Sequence, residues 1–149
     1  MPAPSTQRQQ RQQRQEVSKT KYTDLEEGAL SGNLTRDPEL RFTPEGRGVA
    51  TMRLAETERV YNEQTQQWGD GQTQFYDVTA WGDMAVNCSE VLIKGDRVAV
   101  VGKWQKQEWT ADDGEQKTKL VLVARDIGPS LLFYPATIQR DKRKGQPRR

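Results

Sequence analysis

The chain has 149 residues, 33% of them hydrophobic and 30% charged, with a formal net charge of +2; that is room for one ordinary domain, with too few apolar residues for a core that uses the whole length. One cysteine, Cys88, excludes an intramolecular disulfide, and without histidine or a cysteine pair the usual structural zinc sites are excluded, so neither metal nor other cofactor is expected. No run approaches the ~20 apolar residues of a membrane span and the amino end carries no apolar run resembling a secretory signal, so a cytoplasmic location without a membrane partner is the default expectation.

From Met1 to Lys21 the sequence MPAPSTQRQQRQQRQEVSKTK has no apolar periodicity and holds five Lys/Arg against one Glu; a disordered basic arm is expected over 1–21. The folded domain is expected over 22–135. Within it Gly28–Phe42, Val49–Val60 and Gln74–Trp81 alternate or carry β-branched residues between turn-forming clusters, and read as three strands. The run DMAVNCSEVLIK, Asp83–Lys94, breaks that pattern. It places Met84, Ala85, Cys88, Val91 and Leu92 on one helical face, with Asp83 positioned to cap the start and Gly95 the end. Asp96–Trp109 and Lys117–Ile127 complete five strands, and Asp112-Asp113-Gly114 between them is a hairpin signal, its glycine able to take positive φ. The closing 136–149 holds six Lys/Arg against one Asp and is expected to be a second disordered basic tail. Tyr22–Pro135 is left with twelve basic and nineteen acidic residues, a balance of −7. Two basic arms on an acidic body suit a phosphate backbone, and equally serve plain solubility.

The third strand, QFYDVTAW, is unusual. Period-two alternation sends Tyr76, Val78 and Ala80 one way, as a core face, and Phe75, Asp77, Thr79 and Trp81 the other. Two large aromatics beside an acid and a hydroxyl suit a wet surface on which flat ligands stack. Three strands, a helix, then two strands is the order of an all-β OB-fold, a five-stranded Greek-key barrel with one helix between strands 3 and 4, whose strands 2 and 3 commonly bind oligonucleotides or oligosaccharides. The aromatic face falls on that surface.

The runs LSGNLTRDPELRFTPEGRGVATMRLA (Leu30–Ala55), GQTQFYDVTAWGDMA (Gly71–Ala85) and IKGDRVAVVGKWQKQEW (Ile93–Trp109) resemble, in order and spacing, the bacterial single-stranded DNA-binding protein family across Leu30–Ser130. DIGPSLLFYPAT, Asp126–Thr137, is similar to its actinobacterial branch. The resemblance implies a homotetramer that wraps single-stranded DNA. It carries base-stacking roles onto Phe75, Trp81 and Trp109, with Tyr61 near a fourth such position. Housekeeping members end in an acidic tip that recruits replication and repair enzymes. This sequence ends GQPRR, so that recruitment is not expected, and a specialised paralogue or a version carried by a phage or mobile element is indicated.

Each aromatic has a plainer reading. Trp81, just before Gly82, also suits a core plug, and Trp109, on the parity of Lys103, Gln105 and Gln107, also suits packing between strands of a hairpin. Trp104, on the opposite parity with Val98 and Val100, reads as core, while Trp68 in the polar loop YNEQTQQWGDGQ reads equally as a DNA contact or a packing residue. Arg41, Lys94 and Lys103 fit phosphate contacts, with Arg36 and Arg53 as additions, although positions often basic in the family are Asp77, Asp83, Gln105 and Gln107 here. The arms at Arg8, Arg11, Arg14, Lys142, Arg143 and Lys144 are expected to replace part of that charge. The expected activity is sequence-independent binding, coating and protection of single-stranded DNA in replication, recombination or repair, without catalysis. An accessory subunit of a primosome or recombination complex, or an RNA binder, is the alternative. A nuclease is the least favoured, since no histidine and no partner for the strand carboxylate Asp77 marks a cleavage site.

Overall fold

The computed structural model describes residues 20–140; the basic residues Arg8, Arg11, Arg14, Lys142, Arg143 and Lys144 lie outside them. Six strands and one helix follow in the order β1 (Lys21–Leu34), β2 (Glu39–Phe42), β3 (Gly48–Asn62), β4 (Gln67–Trp81), α1 (Asp83–Val91), β5 (Arg97–Thr110) and β6 (Gln116–Pro129). The sheet runs β1-β5-β6-β4-β3-β2, and β1 also pairs with β3 through Asn33–Ala55 and Leu34–Leu54, closing a five-stranded barrel. All pairings are antiparallel except β4 with β6. This is an OB-fold.

The expected first strand, Gly28–Phe42, is divided between β1 and β2. Pro38 has no N–H for a ladder and disfavours a regular path through the residue before it. Asp37 instead accepts a hydrogen bond from the Lys94 backbone N at 2.8 Å, and Thr35 N donates to Arg53 O at 2.9 Å, which turns the chain so that β1 closes the barrel while β2 flanks β3. β1 also starts earlier, at Lys21, because its amino-terminal half pairs with β5 from Lys21–Glu108 onward. Gly28 sits where a Cβ would lie 2.1 Å from the Trp104 indole nitrogen, so a bare backbone there admits the ring.

The core is the set that alternation exposes to the inside: Leu30 and Leu34, Ala50, Met52 and Leu54, Val78 and Ala80, Val98 and Val100, Leu122 and Ala124. Tyr76 and Trp104 pack against it as expected, with ring centroids 6.1 Å apart. Each fully buried aliphatic contributes about 1.5–3 kcal/mol by leaving water. α1 adds Ala85 and Cys88 to the same cluster, and Leu92 follows directly after it. The helix departs from expectation in three ways. It ends at Val91; its N-cap is Gly82 without a side-chain cap bond, leaving Asp83 in the first turn; and Gly95 belongs to the next turn at φ 94°. Val91 is exposed, because Ala85, Cys88 and Leu92 already form the buried stripe and Val91 lies on its flank. The Asp112-Asp113-Gly114 turn forms as read, with Gly114 at φ 85°. Among the described residues no helix is long and apolar enough to cross a membrane.

Candidate nucleic-acid interface

Paired residues in a ladder present their side chains on the same side of the sheet, so register alone builds the outer face of β2–β3–β4–β6–β5. Arg41, Val49 and Trp81 form one row, and Glu39, Thr51, Thr79, Val123 and Lys103 the next. Arg53, Asp77, Val121 and Gln105 form a third; Phe75 stands opposite Ala55 beyond it. On the β5–β6 hairpin Gln107 faces Lys119 and Trp109 faces Lys117. The barrel thus gathers Phe75, Trp81, Trp109, Arg41, Arg53 and Lys103 on one face. Phe75 is 53% exposed, and Trp81 and Trp109 are half-buried.

Both rings flanking Asp77 carry a cation. The Arg53 guanidinium lies 5.1 Å from the Phe75 ring centre and that of Arg47 lies 4.7 Å from the Trp81 ring. The ring quadrupole attracts each, by ~0.5–1 kcal/mol at exposed sites. Asp77 itself is shared: Arg53 Nη1 is 3.6 Å from Oδ1 and Lys119 Nζ is 3.8 Å from Oδ2. The acid that threatened to make this surface repel phosphates is therefore bracketed by two positive charges. On the other parity of β5, the Lys106 ammonium, 2.7 Å from Glu108, hydrogen-bonds that carboxyl and holds it below the usual carboxylate range.

The remaining expected residues are distributed differently. Arg41 is on the face but is held by Glu39, its Nε 3.0 Å from Oε1. Arg36 and Lys94 lie in loops, β1–β2 and α1–β5, joined by the Lys94–Asp37 bond, and no strand register brings them to the aromatic rows. Tyr61 stands near the end of the β3–β4 hairpin, its ring 5.3 Å from that of Trp68. Trp68 is on a strand rather than in a loop, since β4 begins at Gln67. Arg47 and Lys119 were absent from the sequence reading. Arg47 shares the parity of Val49 and Arg53, a signal that was available; Lys119 reaches Asp77 only through the parallel β4–β6 pairing, which alternation within one strand does not reveal.

The model of the family described as "Single-strand binding protein family" matches residues 25–130. A single-stranded DNA-binding protein of Corynebacterium glutamicum is 44% identical over 114 residues, covering 76% of this chain and 51% of the relative. One from Mycobacterium tuberculosis is 40% identical over 116 residues, covering 78% and 71%. The chain thus spans about half the length of the first of these relatives. Among solved structures, the small single-stranded DNA-binding protein from Streptomyces coelicolor superposes with a TM-score of 0.61 at 29% identity, over 73% of this chain and 96% of that one.

Proposed function

Because the chain belongs to the single-strand binding protein family, we propose that the β3–β4–β6–β5 face holds single-stranded DNA by stacking bases on Phe75, Trp81 and Trp109, with Tyr61 further along the same path. The observation that carries this is the pair of accessible rings on a polar face, each with a guanidinium beside it, Arg53 at Phe75 and Arg47 at Trp81. Every base has a π-face, so such platforms hold a strand with little regard to sequence. Arg41, Arg47, Arg53, Lys103 and Lys119 supply phosphate attraction, Arg36 and Lys94 extend it at the barrel end, and the basic residues of 1–21 and 136–149 flank the 22–135 binding domain. The activity is coating and protection of single strands in replication, recombination or repair in the cytoplasm, with no reaction performed.

Assembly as a homotetramer is part of the proposal. The outer side of β1 and β5 carries the small residues Ala29, Ser31 and Ala99 along a groove of about 610 Å³. Beyond β6, Leu131, Leu132, Phe133 and Tyr134 are each at least 66% exposed, an apolar surface suited to a second copy. Sedimentation counts the subunits. Replacing Phe75 or Trp81 by alanine is expected to weaken oligo-dT binding by about 5- to 150-fold, the equivalent of ~1–3 kcal/mol per stacked base. Unchanged affinity in both variants overturns the site, and equal competition by duplex DNA overturns the substrate class.

A further inference from the structure

We propose that Asp77 makes this surface select among bases: its carboxylate accepts the paired N1–H and N2–H donors of a guanine lying on Phe75, with Arg53 beside it to donate to the guanine O6. This rests on the reading of the barrel face given above and adds to it a preference that stacking alone does not supply.

Three side chains meet at this point of the sheet. Arg53 and Asp77 stand directly opposite each other on β3 and β4, and Phe75 precedes Asp77 by two residues on the same side, about 6.6 Å along the strand. The Arg53 guanidinium lies 5.1 Å from the Phe75 ring centre, and its Nη1 is 3.6 Å from Asp77 Oδ1. A flat contact, a fork of donors and a pair of acceptors therefore adjoin over about the length of one base.

The acceptors are unspent. The two cations at Asp77 stop at 3.6 and 3.8 Å, beyond hydrogen-bond range, so they offset its charge without occupying its lone pairs. Glu39, on the neighbouring row, is instead closed by Arg41 Nε at 3.0 Å. The Asp77 side chain is 24% exposed, and Val121, opposite it on β6, is buried. A ligand can thus reach the carboxylate, yet one flank is apolar, and there a hydrogen bond made to a charged group counts for more and one left unmade costs more.

The bases differ in what they offer such a pair of acceptors. Guanine has two N–H donors side by side on its Watson–Crick edge, matching the two carboxylate oxygens, and next to them O6, an acceptor for Arg53. Cytosine and adenine each place one amino group beside a ring-nitrogen acceptor, so one oxygen gains a donor and the other meets a lone pair. Thymine has a single N–H between two carbonyls, which face the carboxylate with like partial charge. These edges are open in a single strand. The order is guanine first, cytosine and adenine next, thymine last.

The test compares d(TG) repeats, d(TI) repeats and oligo-dT, each of about twenty nucleotides, at one salt concentration. Equal length and charge remove the phosphate contribution from the comparison. Inosine keeps the purine stack, N1–H and O6, and lacks only the N2 amino group. The parent is expected to bind d(TG) about fivefold or more tighter than d(TI), the low end of what a bidentate contact discriminates. In Asp77→Asn, whose amide offers one acceptor and a competing donor, that ratio is expected to fall to within about twofold, with the melting temperature near the parent's. Equal affinity of the parent for d(TG) and d(TI), or a guanine preference that survives unchanged in Asp77→Asn, overturns the inference and leaves the stacking site standing. If the parent binds none of the three, the barrel reading fails and this inference with it.

Discussion

Asp77 lies between the two rings of the proposed site, and replacing it with asparagine isolates what its charge does. The change keeps the shape and removes one negative charge that Arg53 holds at 3.6 Å and Lys119 at 3.8 Å. Both cations are more than 40% exposed at the side chain, so each pair contributes ~0–1 kcal/mol to stability. The fold is therefore expected to lose little, with a melting temperature near the parent's. Binding is expected to change more. Each cation released toward a phosphate adds about 0.7 to the slope of log affinity against log salt for a single strand, or about 1.4 for both. Between ~50 and ~200 mM salt, that steepens the fall in affinity about sevenfold. Fluorescence titrations with oligo-dT at several salt concentrations measure it. An unchanged slope would show that Arg53 and Lys119 already reach the backbone in the parent, and would refute the counter-ion role given to Asp77; weaker binding in the variant would mean that the carboxylate itself serves the ligand.

Two further outcomes probe the scaffold. Gly102 stands at the β5–β6 register shift with no room for a side chain, since a Cβ there would lie 2.0 Å from the Val123 carbonyl oxygen; Gly102→Ala is expected to cost roughly 3 kcal/mol in chemical denaturation, with most of the β5–β6 hairpin disturbed. Burial raises the Cys88 thiol above its ordinary value of 9.0, so it should stay unreactive toward a disulfide reagent at neutral pH until the protein unfolds. The folded state disfavours the thiolate, so stability is lost as pH rises through and beyond the ordinary thiol range. Rapid labelling of native protein at neutral pH, or stability that rises with pH through the alkaline thiol range, would contradict the buried placement.

The sequence made the barrel interior legible wherever apolar residues alternated. Val78 and Ala80 are buried and Phe75 is exposed, as the period of two in QFYDVTAW requires. It was less informative where pairing rather than burial sets the structure. The β3–β4 hairpin runs through Arg59–Asp70 to Tyr61–Trp68 with mostly polar side chains, so nothing in its alternation announced that β4 begins at Gln67. The bulge between Thr57 and Arg59 that turns Trp68 onto the Phe75 face leaves no mark in composition. Gly28–Phe42 reads as one strand despite Pro38 within it, and the way it divides, β1 closing on β3 while β2 flanks it, depends on the Asp37–Lys94 and Thr35–Arg53 bonds between distant segments. Lys119 was missed for the same reason, because it meets Asp77 across the parallel pair.

The central claim is that Trp81 and Trp109 lie under the bases of a bound single strand. With Trp68 replaced by phenylalanine, emission comes from these two and from Trp104, which packs against the core and should stay unquenched. Titration with poly-dT is expected to quench most of the remaining accessible fluorescence, saturably and with a midpoint that moves with salt. Saturable binding by an independent probe with no change in tryptophan emission would contradict the stacking account.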